Sequence, residues 1–289
     1  MTEIDIPENV ESIGEEAFAS CNIINLYIPE NVKHIGRGAF DGCTNMQSVE
    51  IPGSVRTIEG FAFCGCEELT EIIVNEDNEN FTIMDGVLFD IDIKTLICYP
   101  CGLDDDSYEI PDGVEIIGEG AFGECVNLTN IYIPDSVTTI EESAFSGCKN
   151  LTEINIPDNV ISIGFWAFNQ CESLTEITLP ESVENIGGYA FSHCKSLTSI
   201  NIPDKVTKIE SHTFNMCRNL KEINIPENIE SIGDAVFYWC RSLENITLPE
   251  NISDMGGLVF DKCSNLVVSC AEDSYAHKYC IKNNIKVNI

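Results

Sequence analysis

One phrase of 23 residues recurs along the chain, and it limits the possible fold more than any other feature. A clear copy reads LTEINIPDNVISIGFWAFNQC, from Leu151 to Cys171. The 23-residue step is kept without interruption by seven prolines: Pro111, Pro134, Pro157, Pro180, Pro203, Pro226 and Pro249. Pro29 and Pro52 keep the same step nearer the start. A constant period of this length is typical of stacked repeats, so we expect a solenoid.

Each copy predicts two short structural segments and a turn. The apolar residues between Leu151 and Ile156 predict a short strand, which Pro157 ends because proline has no N–H for a sheet ladder. Val160 and Ile163 predict a second short strand or a turn, and the stretch from Ala167 to Cys171 leads to the next coil. Neighbouring strands lie about 4.8 Å apart, so about eleven coils would form a rod or arc of roughly 50 Å.

The period slips between Ile72 and Ile110, where one coil carries an insertion. Apolar runs at residues 87–89 and 96–99 flank the polar stretch 90–94, which predicts a β-hairpin. Two interpretations of this coil stay open. It is either an elaborated coil that changes the curvature of the solenoid, or a projecting loop that adds a contact with a partner.

The last residues predict a cap on the stack. Residues 266–268 read as a final strand, and Asp273 or Ser274 is a suitable N-cap for a helix that runs to about Lys282. We therefore expect residues 1–289 to form a single solenoid domain. Its predicted parts are N-terminal coils (1–74), an elaborated coil with a hairpin (75–110), regular coils (111–265) and a C-terminal helical cap (266–289). Because the chain opens at a repeat boundary with neither a capping element nor a signal peptide, we expect it to be part of a longer protein.

The repeated core I-P-x-x-V-x-x-I-x-x-x-A-F-x-x-C resembles that of the BspA-like leucine-rich-repeat family, also described as the treponemal type. The resemblance covers residues 1 to about 268. It implies a right-handed solenoid that binds other molecules rather than catalysing a reaction, often on bacterial or protist surfaces. The departures are local, with Glu141 and Glu210 in place of glycine, and Val236 and Val259 in place of alanine.

The composition excludes several classes of function. With 48 acidic and 15 basic residues the net charge is −33, which repels nucleic acid and anionic membranes. No apolar run reaches the roughly 18 residues of a membrane span, so we expect no direct membrane insertion. The four histidines fit no catalytic or zinc motif, and we expect no enzymatic activity, cofactor or bound metal. A column of acids after the proline, including Asp135 and Asp158, predicts either turn caps or a weak cation track.

Fifteen cysteines raise the question of disulfides. Ten of them share one column of the repeat: Cys21, Cys43, Cys66, Cys125, Cys148, Cys171, Cys194, Cys217, Cys240 and Cys263. Parallel side chains in such a column do not point toward one another, so we expect a reduced ladder of small buried side chains. The C-x-x-C of Cys98 and Cys101 lacks the second pair expected of zinc and the βαβ context of a redox motif. So many thiols fit a reducing niche.

Two columns carry candidate binding residues. Residues that flank the Ala-Phe pair should face water, and in the C-terminal half they are large: Phe165, Trp166, Tyr189, His193, His212, Met216, Tyr238 and Trp239. Such groups on a surface are typical of interaction sites, although the rings could instead fold over the turn and pack. The exposed face of the main sheet, predicted to be concave, adds Tyr27 and Tyr132, or else it is a solvated sheet.

These observations predict a non-catalytic module that binds a protein ligand and is a monomer. The resemblance implies a cell-surface or secreted adhesin-like protein that contacts host or matrix proteins. Two alternatives stay open. The thiols and the missing signal favour an intracellular, cytoplasmic scaffold, and the aromatic residues also fit a carbohydrate-binding surface module.

Overall fold

The computed structural model describes residues 4–289 and has the expected solenoid, with about 12 coils of roughly 23 residues. Residues 1–3, which begin the first predicted coil, lie outside this range. Regular coils pair through parallel strands in register, so that Ile131 lies opposite Ile154 and Ile140 lies opposite Ile163. Equivalent residues therefore stack in columns, as the repeat predicts.

The N-terminal coils contribute short strands to two sheets. They are β1 (Ser12–Ile13), β2 (Asn25–Tyr27), β3 (His34–Ile35), β4 (Ser48–Ile51), β5 (Thr57–Ile58) and β6 (Glu71–Val74). Strands β2, β4 and β6 precede the proline and form one parallel sheet, whereas β1, β3 and β5 follow it and form another. The second apolar pair of each copy is therefore a strand.

The elaborated coil contains β7 (Phe81–Met84), β8 (Val87–Asp90), β9 (Thr95–Cys98) and β10 (Ser107–Glu109). The predicted hairpin is confirmed as β8 and β9, which pair antiparallel, and β7 adds a third antiparallel strand that we did not predict. Its turn is closed by Asp90, whose Oδ1 accepts hydrogen bonds from the backbone N–H groups of Lys94 and Thr95 at 2.7 and 3.0 Å. The outer positions of the turn skip this coil, since Phe61 N donates to Glu119 O, whereas Tyr99 N continues the inner ladder by donating to Ala121 O.

The regular coils then run without interruption to the C-terminal part. Their strands are β11 (Ile116–Ile117), β12 (Asn130–Tyr132), β13 (Thr139–Ile140), β14 (Glu153–Ile154), β15 (Ser162–Ile163), β16 (Glu176–Ile177), β17 (Asn185–Ile186), β18 (Ser199–Asn201), β19 (Lys208–Ile209), β20 (Glu222–Asn224), β21 (Ser231–Ile232), β22 (Asn245–Thr247) and β23 (Asp254–Met255). The pre-proline strands form one side of the stack and the post-proline strands the other.

A helical cap closes the C-terminal end as predicted. It consists of β24 (Val267–Ser269), α1 (Tyr275–Lys282) and β25 (Lys286–Asn288), and β25 pairs in parallel with β24. Ser274 is the N-cap, and its Oγ accepts a hydrogen bond from the backbone N–H of His277 at 3.1 Å. Ala276 and Cys280 are buried and cover the core.

A column of stacked phenylalanines fills the interior. From Phe122 to Phe260 neighbouring rings lie 5.2 to 5.8 Å apart between centroids and are nearly parallel. Such offset stacking adds to the burial of apolar area. A shorter run joins Phe18, Phe40 and Phe63.

The cysteine column is tied to the phenylalanine column by hydrogen bonds. The Sγ of Cys171 donates to the carbonyl of Phe145 in the preceding coil at 3.2 Å, and the other regular coils repeat this contact. The same carbonyl accepts the backbone N–H of Cys148, so both of its lone pairs are used. Burial raises the pKa of the Cys148 and Cys194 thiols to about 12, which keeps the donor protons in place.

The prediction that the whole cysteine column is reduced was wrong at Cys125, which forms a disulfide with Cys101. The insertion is the physical reason. Tyr99 occupies the phenylalanine position of the elaborated coil and stacks on Phe122 at 5.3 Å. The cysteine position then falls on Gly102, so Cys101 stands one residue ahead of the column and comes within 4.5 Å of Cys125 between Cα atoms. Cys98 remains a buried thiol.

The prediction that the post-proline acids cap turns was also wrong for all but one of them. The turn is closed by the backbone, since Val160 N donates to Pro157 O at 3.1 Å. Among the post-proline acids of residues 4–289, only Glu181 accepts a backbone N–H through its side chain, and the donor, Asp204 N, belongs to the next coil. Asparagines one position later connect the coils instead, as when Asn159 Nδ2 donates to Asp135 O at 2.7 Å.

Removing one ring from the phenylalanine column should be costly. We expect Phe168→Ala to lower the free energy of unfolding by about 3–5 kcal/mol, since it leaves a cavity between two stacked rings. Phe165→Ala is the matched control three residues away, where the ring is exposed, and should cost about 1 kcal/mol or less. Urea unfolding followed by circular dichroism measures both. Equal losses would mean that the column is not the core.

Thiol counting tests the cysteine arrangement. Without reductant, we expect most thiols to be unreactive in the native protein because they are buried and protonated, and 13 to react after denaturation. Two further thiols should appear after reduction. A full set without reductant would contradict the Cys101–Cys125 disulfide, and markedly fewer than 13 would contradict the reduced ladder.

Candidate functional site

Two positions in each turn have left-handed backbone. We name them column A and column B. In the C-terminal half, column A is Trp166, Tyr189, His212, Ala235 and Leu258, and column B is Gln170, His193, Met216, Trp239 and Lys262. All ten have φ between 50° and 67°. The turn around the Ala-Phe pair therefore has the same unusual backbone twice in every regular coil.

Glycine is the residue that adopts this backbone without cost, and the N-terminal half uses it at five of its ten positions. These are Gly38, Gly42, Gly65, Gly120 and Gly147, and the other five are Glu16, Ser20, Phe61, Glu124 and Ser143, all with positive φ. The C-terminal half has no glycine in either column. A side chain at a left-handed position costs roughly 1–2 kcal/mol. The aromatic residues are thus placed where the fold itself would favour glycine.

Hydrogen bonds between coils hold these positions in place. The backbone N–H of Trp166 donates to Gly188 O at 3.0 Å, that of Tyr189 to Ser211 O at 3.0 Å, and that of His212 to Asp234 O at 2.8 Å. Each column residue is therefore fixed to the next coil, which gives the attached side chains a defined position.

Four rings form a cluster on this surface. Phe165 and Trp166 are in edge contact at 4.2 Å between centroids, and both lie near Tyr189 at 5.4 and 5.6 Å. Tyr189 stacks face to face on His212 at 4.3 Å. Phe165 and Trp166 keep 38% and 37% of their surface exposed, while the other two are half-buried. The rings pack on one another and remain open to solvent, which combines the two interpretations left open above.

A second group surrounds Trp239. Its ring lies 6.2 Å from that of Tyr238, and the guanidinium carbons of Arg241 and Arg218 lie 4.1 and 5.4 Å from its centroid. Met216 is half-buried in the preceding coil of the same column. Sequence analysis named the tryptophan, the tyrosine and the methionine but not the arginines, although the 23-residue spacing of the arginines was visible.

Two polar atoms of these groups lack partners within residues 4–289. They are Nδ1 of His212 and Nε1 of Trp239, both buried. Burial lowers the pKa of His212, and burial followed by the charges of Lys195 and Arg218 lowers the pKa of His193. Both imidazoles are therefore neutral at pH 7. The two imidazoles have different neighbours. Nδ1 of His193 is hydrogen-bonded to Ser192 Oγ at 2.9 Å, whereas the His212 ring stacks on Tyr189.

The exposed face of the pre-proline sheets is the second candidate surface. Tyr27 and Tyr132 are each 54% exposed on it, and a shallow groove of about 710 Å³ runs over the sheet beside Tyr132. Asparagine amides line this face, as when Asn155 Nδ2 donates to Ile133 O at 2.8 Å. The two tyrosines are in separate sheets, β2–β4–β6 and β10–β12–β14, so this face lacks the ring-to-ring contacts of column A.

Sequence analysis also missed Leu258, which is 61% exposed and extends column A by two coils. The repeat register would have found it, since it stands one period after Ala235.

Nothing in this part of the chain is arranged for metal binding. Among residues 4–289, no three histidine, cysteine or acidic side chains are grouped as metal ligands. Over the same range, none of the helices is long and apolar enough to span a bilayer.

The repeat that builds this solenoid is also found in other proteins. The model of the BspA-type leucine-rich-repeat region matches the chain in six copies, over residues 1–105, 91–195 and 138–267. The chain belongs to the BspA-type leucine-rich-repeat family. Leucine-rich-repeat proteins of this kind are typically non-catalytic, and the repeat is a protein-interaction module. No curated protein matches the chain.

Several solved structures share the fold. A leucine-rich-repeat protein from Eubacterium ventriosum is 27% identical with a TM-score of 0.77, and the match covers 88% of this chain and 68% of that one. The T. pallidum leucine-rich-repeat protein is 28% identical with a TM-score of 0.58, covering 74% and 97%. The pneumococcal vaccine antigen PcpA, at 20% identity and a TM-score of 0.65, covers 97% and 71% and shows the fold alone.

Proposed function

We propose that this chain is a non-catalytic module that binds a protein ligand through an aromatic ridge. The ridge consists of Phe165, Trp166, Tyr189, His193, His212, Met216, Tyr238 and Trp239. One observation carries the proposal. Large side chains occupy left-handed positions of the turn where the N-terminal coils have glycine at five of ten positions and, at most of the others, glutamate or serine, and the same turns form with any of these residues.

The ridge residues carry a free-energy cost in their backbone. Six ridge residues have positive φ, and each costs roughly 1–2 kcal/mol relative to a right-handed position. Folding does not require this cost, since Gly38 and Gly120 occupy equivalent turns without it. Glu16 and Ser143 bear the same cost, so the ridge differs from the N-terminal turns in the size and aromatic character of its side chains. Residues that are kept in unfavourable backbone and left partly exposed fit a role in recognition. Aromatic side chains and methionine are also enriched where proteins contact one another.

We place the module on the cell surface or in the secreted fraction, as a monomeric adhesin-like protein that contacts host or matrix proteins. The Cys101–Cys125 disulfide supports an oxidising exterior. PcpA, a protein of similar fold, is described as a vaccine antigen. The alternative of an intracellular scaffold draws on the 13 free thiols. Fractionation of the native cells with an antibody against this chain distinguishes the two locations.

The ridge is tested with peptides selected on the native protein from a random display library. We expect the double change Trp166→Ser and Tyr189→Ser to weaken binding of the selected peptides at least about tenfold, because it removes two central anchors. The matched control is Tyr27→Ser with Tyr132→Ser, which removes two exposed rings from the sheet face. Isothermal titration gives the affinities, and circular dichroism checks the fold.

The same experiments distinguish the ridge from the sheet face, and a protein ligand from a carbohydrate. Loss of binding in the Tyr27 and Tyr132 variant, with binding kept in the ridge variant, would move the site to the sheet face. Strong signals on a glycan array, together with a library that yields no ridge-dependent peptide, would favour the carbohydrate-binding alternative and contradict the proposal.

A further inference from the structure

Two arginines lie beside a single tryptophan ring at one end of the ridge. The guanidinium carbon of Arg241 is 4.1 Å from the centroid of Trp239, and that of Arg218 is 5.4 Å from it. Both distances are within the range of cation–π attraction. Both arginine side chains are exposed, so the ring holds them in place without removing them from solvent.

Neither arginine has an acidic partner. Within residues 4–289, Arg218 and Arg241 form no ion pair, although the chain has 48 acidic residues. Lys195, one coil earlier in the same column, pairs with Glu172 at 2.7 Å. The two guanidinium groups are therefore held by an aromatic ring and left without a counter-ion.

The charge around this end of the ridge is opposite to that of the protein. Lys195, Arg218 and Arg241 are spaced one coil apart, which forms a basic column beside column B. The charges of Lys195 and Arg218 contribute, after burial, to lowering the pKa of His193. Since Lys195 is paired with Glu172, the positive charges of this column that have no ion pair within residues 4–289 are those of Arg218 and Arg241, on a chain of net charge −33.

We propose that Arg218 and Arg241 bind the carboxylates of an acidic peptide segment in the protein ligand, next to Trp239. The inference rests on the proposed function and names the chemistry of the ligand. A guanidinium presents its N–H groups in a planar fork that matches a carboxylate, and stacking on an aromatic face leaves that fork free.

Apolar neighbours favour a peptide over a sulfated polysaccharide. Met216 and Tyr238 lie beside Trp239, and a thioether is suited to contacts with apolar side chains of varied shape. From the coil of Met216 to that of Trp239 is one step, roughly 5 Å, which an extended peptide covers in about two residues. The predicted ligand therefore has a carboxylate within about two residues of an apolar side chain.

The test measures peptide affinity by isothermal titration on the chain with its full ridge. The probes are synthetic peptides in which a glutamate and a leucine are separated by spacers of increasing length, with glutamine counterparts. Chondroitin sulfate is the polysaccharide probe. Arg218→Gln with Arg241→Gln is compared with Arg56→Gln, an exposed arginine of the N-terminal half that also lacks an ion pair.

We expect the acidic peptides to bind, the glutamine peptides to bind at least about tenfold more weakly, and the double arginine variant to lose a similar factor. Arg56→Gln should bind like the parent. Three results would each overturn the inference: binding by no acidic peptide, equal affinity of the double variant, or a response to chondroitin sulfate alone. Library-selected peptides that depend on Trp166 and Tyr189 but ignore both arginines would leave the proposed function intact.

Discussion

The hydrogen bonds that join one turn to the next are the interaction on which the rest of this structure depends. In each regular coil the phenylalanine N–H donates to the carbonyl of the residue that precedes the next phenylalanine, as in Phe168 N to Ala190 O at 2.8 Å. The phenylalanine carbonyl accepts both a cysteine N–H and a cysteine thiol. A turn satisfied in this way fixes the register, and the stacked rings, the reduced thiols and the left-handed positions of columns A and B follow from that register.

The elaborated coil is the place where this regularity is interrupted and repaired. The core divides there into two clusters, and consecutive residues of β8 belong to different ones, Leu88 to the N-terminal cluster and Phe89 to the C-terminal cluster. The strand therefore joins the two parts through its alternating faces. The Cys101–Cys125 disulfide lies at the same junction, where glycine leaves the cysteine column without a thiol.

Much of the fold was predictable because it repeats. The period located the strands, the phenylalanine and cysteine columns and the hairpin at β8 and β9, and Ser274 predicted the start of α1. What could not be predicted depends on contacts that break the period. Strand β7 has no counterpart in other coils, and the Cys101–Cys125 bond depends on a one-residue offset that only the three-dimensional course of the insertion shows.

The candidate site was likewise predictable where it repeats and unpredictable where it depends on particular contacts. Spacing alone placed Trp166, Tyr189 and His212 in one column, but the left-handed backbone at these positions is a property of the turn. The contacts of Arg218 and Arg241 with Trp239 depend on side-chain conformations that no periodic pattern states. Columns give the neighbours of a residue along the stack, whereas contacts between columns require the structure.

Native-state hydrogen exchange most directly tests the claim that the turn ladder fixes the ridge. The amides of Trp166, Tyr189 and His212 should exchange as slowly as those of Phe145 and Phe168, because all five donate to carbonyls of the following coil. Slow exchange at all five would show that the ridge is held in position before any ligand arrives. Exchange at the three ridge amides near the rate of an unstructured peptide would contradict the account, since the aromatic side chains would then stand on a mobile turn.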